Sequence, residues 1–189
     1  YSVVSKNYVA EVNGTKYETL AEAIKNASAG NTITLLADVT ENVTINKNLT
    51  IDGAGNTFTG KMNLTNSATI KNVNFDGKGY NGYAVETRSA ADVVIENCTA
   101  MNYGYGFIQV ASNNNTITIK NVTVSNVNYG VKIDYSNAVI IENATIDAAV
   151  AAVLNSNYGK KTVTIKNCDL SILGTWTRNN TTKTTIVFE

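Results

Sequence analysis

Ile70-Lys71-Asn72-Val73, Ile95-Glu96-Asn97-Cys98, Ile119-Lys120-Asn121-Val122, Ile141-Glu142-Asn143-Ala144 and Ile165-Lys166-Asn167-Cys168 are one motif written five times, at isoleucine steps of 25, 24, 22 and 24 residues. Toward the N-terminus Thr50-Ile51 and Thr32-Ile33 continue the series at steps of 19 and 18, and toward the C-terminus Thr185-Ile186 adds a step of 21. Each occurrence sits in a run of alternating residues. Thr116-Ile117-Thr118-Ile119-Lys120 puts isoleucines on one face and Thr or Lys on the other, which is the period of a β-strand and not of a helix. Units of about 18 to 25 residues with strands this short cannot bury an apolar face alone, so they must stack on their neighbours. A parallel β-solenoid follows.

The asparagine of the motif has a backbone reason. A sharp bend between two strands needs a left-handed residue, and Asn is the non-glycine residue that tolerates this best. Asn72, Asn97, Asn121, Asn143 and Asn167 are therefore expected to stack as a structural ladder. At the ~4.8 Å strand spacing their amides can bond one another.

These features resemble the right-handed parallel β-helix of the pectate lyase-like superfamily, in which an asparagine ladder joins the second and third strands of each coil. The resemblance covers roughly residues 31–189 and implies an all-β solenoid of about seven to eight coils. The segment from Asn42-Val43-Thr44-Ile45 through Asp52-Gly53-Ala54-Gly55-Asn56-Thr57 is similar to the opening coils of adhesin-like surface proteins of Gram-positive bacteria and methanogenic archaea. Those proteins use the fold for display and binding.

Residues 1–30 read as a separate cap on a β-helix domain of 31–189. Tyr8 to Val12 and Thr15 to Tyr17 flank Asn13-Gly14, the strongest short hairpin signal. Thr19 followed by Glu22 is a capping box, and Leu20, Ala23, Ile24 and Ala27 form one apolar face before Gly30, where the helix should stop. This short helix is expected to lid the solenoid's open end, where strand edges and core would otherwise meet water. Thr184 to Glu189 reads as a strand with no cap after it, so the native chain is expected to continue into additional domains.

The chain of 189 residues balances 15 Lys+Arg against 15 Asp+Glu, with no His and no Pro. Zero net charge, with Arg88 and Arg178 the only arginines, argues against nucleic acid and anionic membranes as partners. Without histidine, the usual serine and cysteine triads and most zinc hydrolases are excluded, and no cofactor or metal is expected. No apolar run reaches the ~20 residues that span a bilayer. Cys98 and Cys168 share one position of the motif three coils apart, a separation of ~14 Å that forbids a disulfide and makes both reduced core residues. Of the several Asn-x-Thr triplets, those in the ladder arise from strand geometry, which leaves Asn42 and Asn63 as the better glycan acceptors.

Tyrosine carries the functional signal. Ten are present, most of them in Gly79-Tyr80-Asn81-Gly82-Tyr83, Asn102-Tyr103-Gly104-Tyr105-Gly106, Asn128-Tyr129-Gly130 and Asn157-Tyr158-Gly159. Tyr83, Tyr105 and Tyr129, at steps of 22 and 24, should lie one per coil on one side. Flat aromatic faces beside Asn and Gly suit sugar rings, against the plainer reading of loop packing. The candidate ligand-binding residues are Tyr80, Asn81, Tyr83, Tyr103, Tyr105, Tyr129, Lys132, Asp134 and Tyr135. The expected function is adhesion or glycan binding, non-catalytic, by an extracellular module of a microbial cell-surface or secreted protein whose partner is a polysaccharide or host glycan. Two alternatives stand beside it. One is a passive stalk. The other, implied by the resemblance, is a calcium-dependent lyase of uronic-acid polymers centred on Glu86, Arg88, Lys132 and Asp134, with Gln109 outward between them. An outward Thr column (Thr50, Thr69, Thr118, Thr164) hints at ice binding but is interrupted by Val94 and Ile140.

Overall fold

The computed structural model describes residues 6–89, 92–111, 115–136, 138–156, 161–171, 173–176 and 184–189. Ala10–Val12 (β1) and Thr15–Tyr17 (β2) pair antiparallel around Asn13 and Gly14, both at positive φ (49° and 81°). Leu20–Asn26 (α1) follows, its N-terminus capped by Thr19, which accepts from the Glu22 N–H at 3.1 Å. The helix ends earlier than its apolar pattern suggested: Ala27 is already extended, and Gly30 (φ 86°) turns the chain into the first coil.

The chain then winds three-sided coils. Thr32–Leu35 (β3), Val39–Thr40 (β4) and Val43–Ile45 (β5) make the first, and Leu49–Asp52 (β6), Thr57–Thr59 (β7) and Met62–Leu64 (β8) the next. Ala68–Lys71 (β9), Asn74–Asp76 (β10) and Tyr83–Thr87 (β11) follow; then Val93–Met101 (β12) bends over two sides and Gly106–Ala111 (β13) supplies the third. Thr116–Tyr135 (β14) runs round all three sides. Ala138–Glu142 (β15), Thr145–Ser156 (β16), Lys161–Lys166 (β17), Asp169–Leu170 (β18), Leu173–Trp176 (β19) and Thr184–Phe188 (β20) complete the series.

Strands on each side pair in parallel. Sheet II stacks Ile33, Ile51, Ile70, Ile95, Ile119, Ile141 and Ile165 in unbroken register, each buried. Every such isoleucine contributes about 1.5–3 kcal/mol of burial. The register of β20 differs from the expected one: Ile186 lies beside Val163, and Phe188, not Ile186, follows Ile165. A shift of two residues keeps the same face inward, so alternation alone does not distinguish the two pairings. Phe58, Phe75 and Phe107 stack inside the barrel at centroid distances of 5.8 and 5.7 Å.

The asparagine ladder is present and has a direction. Asn72, Asn97, Asn121, Asn143 and Asn167 all have φ between 49° and 55°. Each Nδ2 donates to the Oδ1 one coil earlier, at 3.5, 3.0, 3.2 and 2.7 Å along the series from Asn97 to Asn167. Asn72 has no asparagine before it and donates to Asp52 Oδ1 at 3.0 Å. Partial burial works against charge on Asp52, but the Asn72 amide, the Ala54 N–H and Lys71 outweigh it and hold the carboxyl below its ordinary value. A second ladder, not anticipated, follows sheet III, the side built from β4, β7, β10, the second half of β12, the middle of β14, the start of β16 and β18: Asn126 donates to Asn102 (2.6 Å) and Asn102 to Asp76 (2.9 Å). It too starts on an aspartate, which the Asn102 amide and the Lys78 N–H hold below its ordinary value.

Beside the first ladder, the outward position of sheet II reads Asp52, Lys71, Glu96, Lys120, Glu142, Lys166 through successive registers. The charges alternate without exception, and Lys71–Asp52 (3.3 Å) and Lys120–Glu96 (2.8 Å) close as ion pairs. The next outward column reads Thr50, Thr69, Val94, Thr118, Ile140, Thr164, broken as expected.

The N-terminal end is lidded in two parts. β1 pairs antiparallel with β3 and covers the sheet II edge, while α1 buries Leu20, Ala23 and Ile24. Glu41 and Lys47, on either side of β5, clamp the helix. Glu41 accepts from the Leu20 and Ala21 N–H groups (2.8 and 3.0 Å), and Lys47 Nζ donates to the carbonyls of Ile24, Lys25 and Ala27 (3.0, 2.8 and 2.8 Å). Opposite charges thus sit at the helix ends they favour.

Both cysteines are free, on the shared column. Cys98 is buried and its thiol is pushed up to about 11 by burial. Cys168 corrects the expectation in part, because it is only partly buried.

Candidate functional site

Sheet I consists of β5, β8, β11, β13, the end of β14, β16 and β19. Its alternation turns Val85, Ile108 and Val131 inward, so the residues between them face out. Thr44, Asn63, Glu86, Gln109 and Lys132 form that outward column. One groove of about 390 Å³ lies on this face, lined by Tyr83, Glu86, Arg88, Tyr105, Gln109, Tyr129 and Lys132.

The aromatic wall is not the simple column that the steps of 22 and 24 suggest. In register, Tyr83 pairs with Gly106 and Gly106 with Tyr129, so Tyr105 sits one residue before the shared level. Its ring nonetheless lies 5.9 Å from that of Tyr83, tilted by 56°. Gly106 makes this packing possible: a Cβ there would stand 2.2 Å from the Tyr129 carbonyl oxygen and 2.9 Å from the Tyr83 ring. Tyr83 is buried at the base of the wall, while Tyr105 is 50% exposed. Burial, reinforced by Asp134, Tyr129, Glu86 and Tyr105, pushes the Tyr83 phenol well above the ordinary range, so it stays a neutral donor.

The opposite side is polar and internally paired. Glu86 Oε2 takes Arg88 at 3.0 Å and Lys61 at 3.3 Å. Asp134 Oδ2 accepts from Gln109 Nε2 at 2.7 Å and pairs with Lys132 at 3.4 Å. Gln109 is thereby oriented, and Arg88 lines the groove with one of its five guanidinium N–H groups bonded to Glu86. Among the described residues, no group of three His, Cys, Asp or Glu side chains could hold a metal ion.

The remaining candidates lie elsewhere. Tyr103 is buried and donates its hydroxyl to the Gly60 carbonyl at 3.0 Å; burial pushes its phenol well above the ordinary range. It is a packing residue and not part of the accessible face. Tyr80 packs edge-on against Tyr103 at 6.1 Å, and Asn81 is exposed beside Gly104, both at the corner between sheets III and I. Tyr135 stands opposite Ala111 at the far end of its strand, partly exposed. Tyr158 lies outside the described residues. Of the two acceptor asparagines, Asn42 is exposed, whereas the Asn63 Oδ1 is buried without a partner.

Lys61, which does not line the groove but pairs with its Glu86, is the residue the sequence reading passed over. Its pairing to Glu86 crosses from one coil to the next and follows only from the register. Comparison with curated proteins and with solved structures finds no match in either. The stacked registers, the left-handed asparagines and the three parallel sheets agree with what a scan of family models finds, a match to the right-handed β-helix region over residues 24–187, and the chain belongs to that family.

Proposed function

We propose that the sheet I groove binds carbohydrate, and that the protein is a non-catalytic adhesion or glycan-recognition module working at a microbial cell surface or in the secreted space. The observation that carries this reading is the half-exposed Tyr105 ring, braced against Tyr83 in a groove whose other side is polar. A sugar ring offers C–H groups to an aromatic face and hydroxyls to Arg88, Gln109 and Lys132. Glu86 and Asp134 already neutralise neighbouring cations, and no third carboxylate joins them in a metal-holding group among the described residues, which favours recognition over calcium-dependent lyase chemistry.

A glycan array probed with the wild type, Tyr105→Ala and Gly106→Ala tests the reading. Loss of a bound signal in both variants, at unchanged folding for Tyr105→Ala, is the expected result. An array on which the wild type binds nothing, or on which Tyr105→Ala binds as well as the wild type, refutes it. A stalk would give the first of these.

A further inference from the structure

Two depressions of about 590 and 540 Å³ share Lys78 and Gly79, so they form one trench along the corner between sheets III and I. It runs from Thr40 and Glu41 of the first coil to Asp147 and Ala149 of β16. Its six rungs are separated by five steps of ~4.8 Å, which make it ~24 Å long, parallel to the solenoid axis. None of its lining residues lines the sheet I groove.

The trench is built by one aromatic laid lengthwise. Tyr103 reaches back two coils to the Gly60 carbonyl, and its ring passes across Gly77, where a Cβ would meet Tyr103 Cγ at 2.8 Å and the Asn102 carbonyl oxygen at 2.5 Å. The floor is therefore backbone and a buried ring.

Its polar groups come from the second asparagine ladder. A ladder bond uses one amide N–H of the donor and one lone pair of the acceptor, so Asn102 and Asn126 each retain a donor and an acceptor, one rung apart. Glu41 is closed to ligands, since both its oxygens hold α1. Lys78 and Asp147 form no ion pair among the described residues. Asp147 stands three rungs from Asp76 by register, ~14 Å.

We infer that this trench is a second binding site, for a linear neutral polysaccharide lying along the solenoid axis. Adjacent hydroxyls match the donor-and-acceptor face of an amide, and the amides recur at a rung spacing that suits successive sugars. One lysine, Lys78, against two carboxylates, Glu41 and Asp147, leaves no positive charge to attract a polyanion. An added peptide strand would need an unpaired sheet edge, which a solenoid corner does not offer.

Affinity electrophoresis in gels containing a soluble neutral glucan, xylan or mannan tests the inference, with a uronic-acid polymer as comparison. Ala149 is exposed, so Ala149→Trp fills the trench without entering the core. Retardation of the wild type by a neutral polymer is expected, with at least about tenfold weaker binding for Ala149→Trp and a smaller loss for Asp147→Asn. Tyr105→Ala should leave this retardation unchanged, which separates the trench from the sheet I groove. Should Ala149→Trp melt early, Asp147→Asn decides alone. The inference is overturned if no neutral polymer retards the wild type, if a normally melting Ala149→Trp and Asp147→Asn bind as the wild type does, or if Tyr105→Ala abolishes neutral-polymer binding.

Discussion

Replacing Asn121 separates the two tasks of a ladder asparagine. Its φ of 54° is in the left-handed region, its Nδ2 donates to Asn97 at 3.0 Å, and its Oδ1 accepts from Asn143 at 3.2 Å. Asn121→Gly keeps the bend and removes both bonds. At about 0.5 kcal/mol each for exposed neutral bonds, plus about 0.5–1 kcal/mol for the extra freedom of glycine in the unfolded chain, the cost is about 1.5–2 kcal/mol. Asn121→Ala also loses both bonds, and adds about 1–2 kcal/mol for a Cβ in the left-handed well, for a total of about 2–3 kcal/mol. Urea unfolding followed by circular dichroism reads both, with Thr118→Ala on the same strand as an outward control expected within about 0.5 kcal/mol of wild type. The diagnostic quantity is the order, alanine worse than glycine. If the glycine variant is as unstable as the alanine one, or if both match the control, the account of the ladder as a left-handed bend fastened by amides is wrong.

Other perturbations probe other parts of the structure. Asp52 and Asp76 have carboxyls held below their ordinary value, so their share of stability is full above the unfolded pKa of about 3.9 and is lost as pH falls through the lower folded value; melting temperature between pH 6 and 2 should drop less steeply for the double variant Asp52→Asn/Asp76→Asn, and identical slopes would contradict the assignment. Glu96→Lys would place three lysines in succession in the alternating column, lowering the urea midpoint by an amount that 1 M salt largely restores, about 3 Å being the screening length there; a salt-independent loss would point to packing instead. Lys47→Met strips three carbonyl acceptors of their donor and should accelerate hydrogen exchange throughout α1 at a cost of about 1–2 kcal/mol, whereas unchanged exchange would mean the clamp is idle. Gly106→Ala forces a Cβ to within 2.2 Å of the Tyr129 carbonyl, so a loss of about 1–3 kcal/mol in urea unfolding is expected, and a neutral effect would deny the close approach.

The five-fold motif made the architecture legible because a solenoid turns sequence distance into spatial adjacency: Ile95, Ile119 and Ile141 stack because each heads the same motif. The hairpin and capping box were legible for the same reason, being local. The alternating charges were in plain sight as Lys71, Glu96, Lys120, Glu142, Lys166, yet their meaning depends on the coils being in contact. The second ladder was hidden because only Asn102 and Asn126 repeat, each five residues past an asparagine of the first ladder, while Asp76 at its head is a different residue one position short of that offset. Loop length defeated the tyrosine reading. Equal-looking steps of 22 and 24 conceal a register of 23, which puts Gly106 where a ring was expected and Tyr105 beside it. Tyr103 and Tyr105 each precede a glycine and stand two residues apart, yet one is buried and the other half exposed, a difference set by side-chain direction, which composition does not encode.

Both amide ladders point one way, every donor aimed toward the preceding coil and the foremost one ending on an aspartate. A ribosome delivers the acceptor before its donor, so each new rung finds its receptor already in place, and the stack can lengthen in step with synthesis without waiting for anything downstream. Trimming rungs from the trailing end exposes only a spare carbonyl that water can serve; removing the leading aspartates strands an N–H facing the cap.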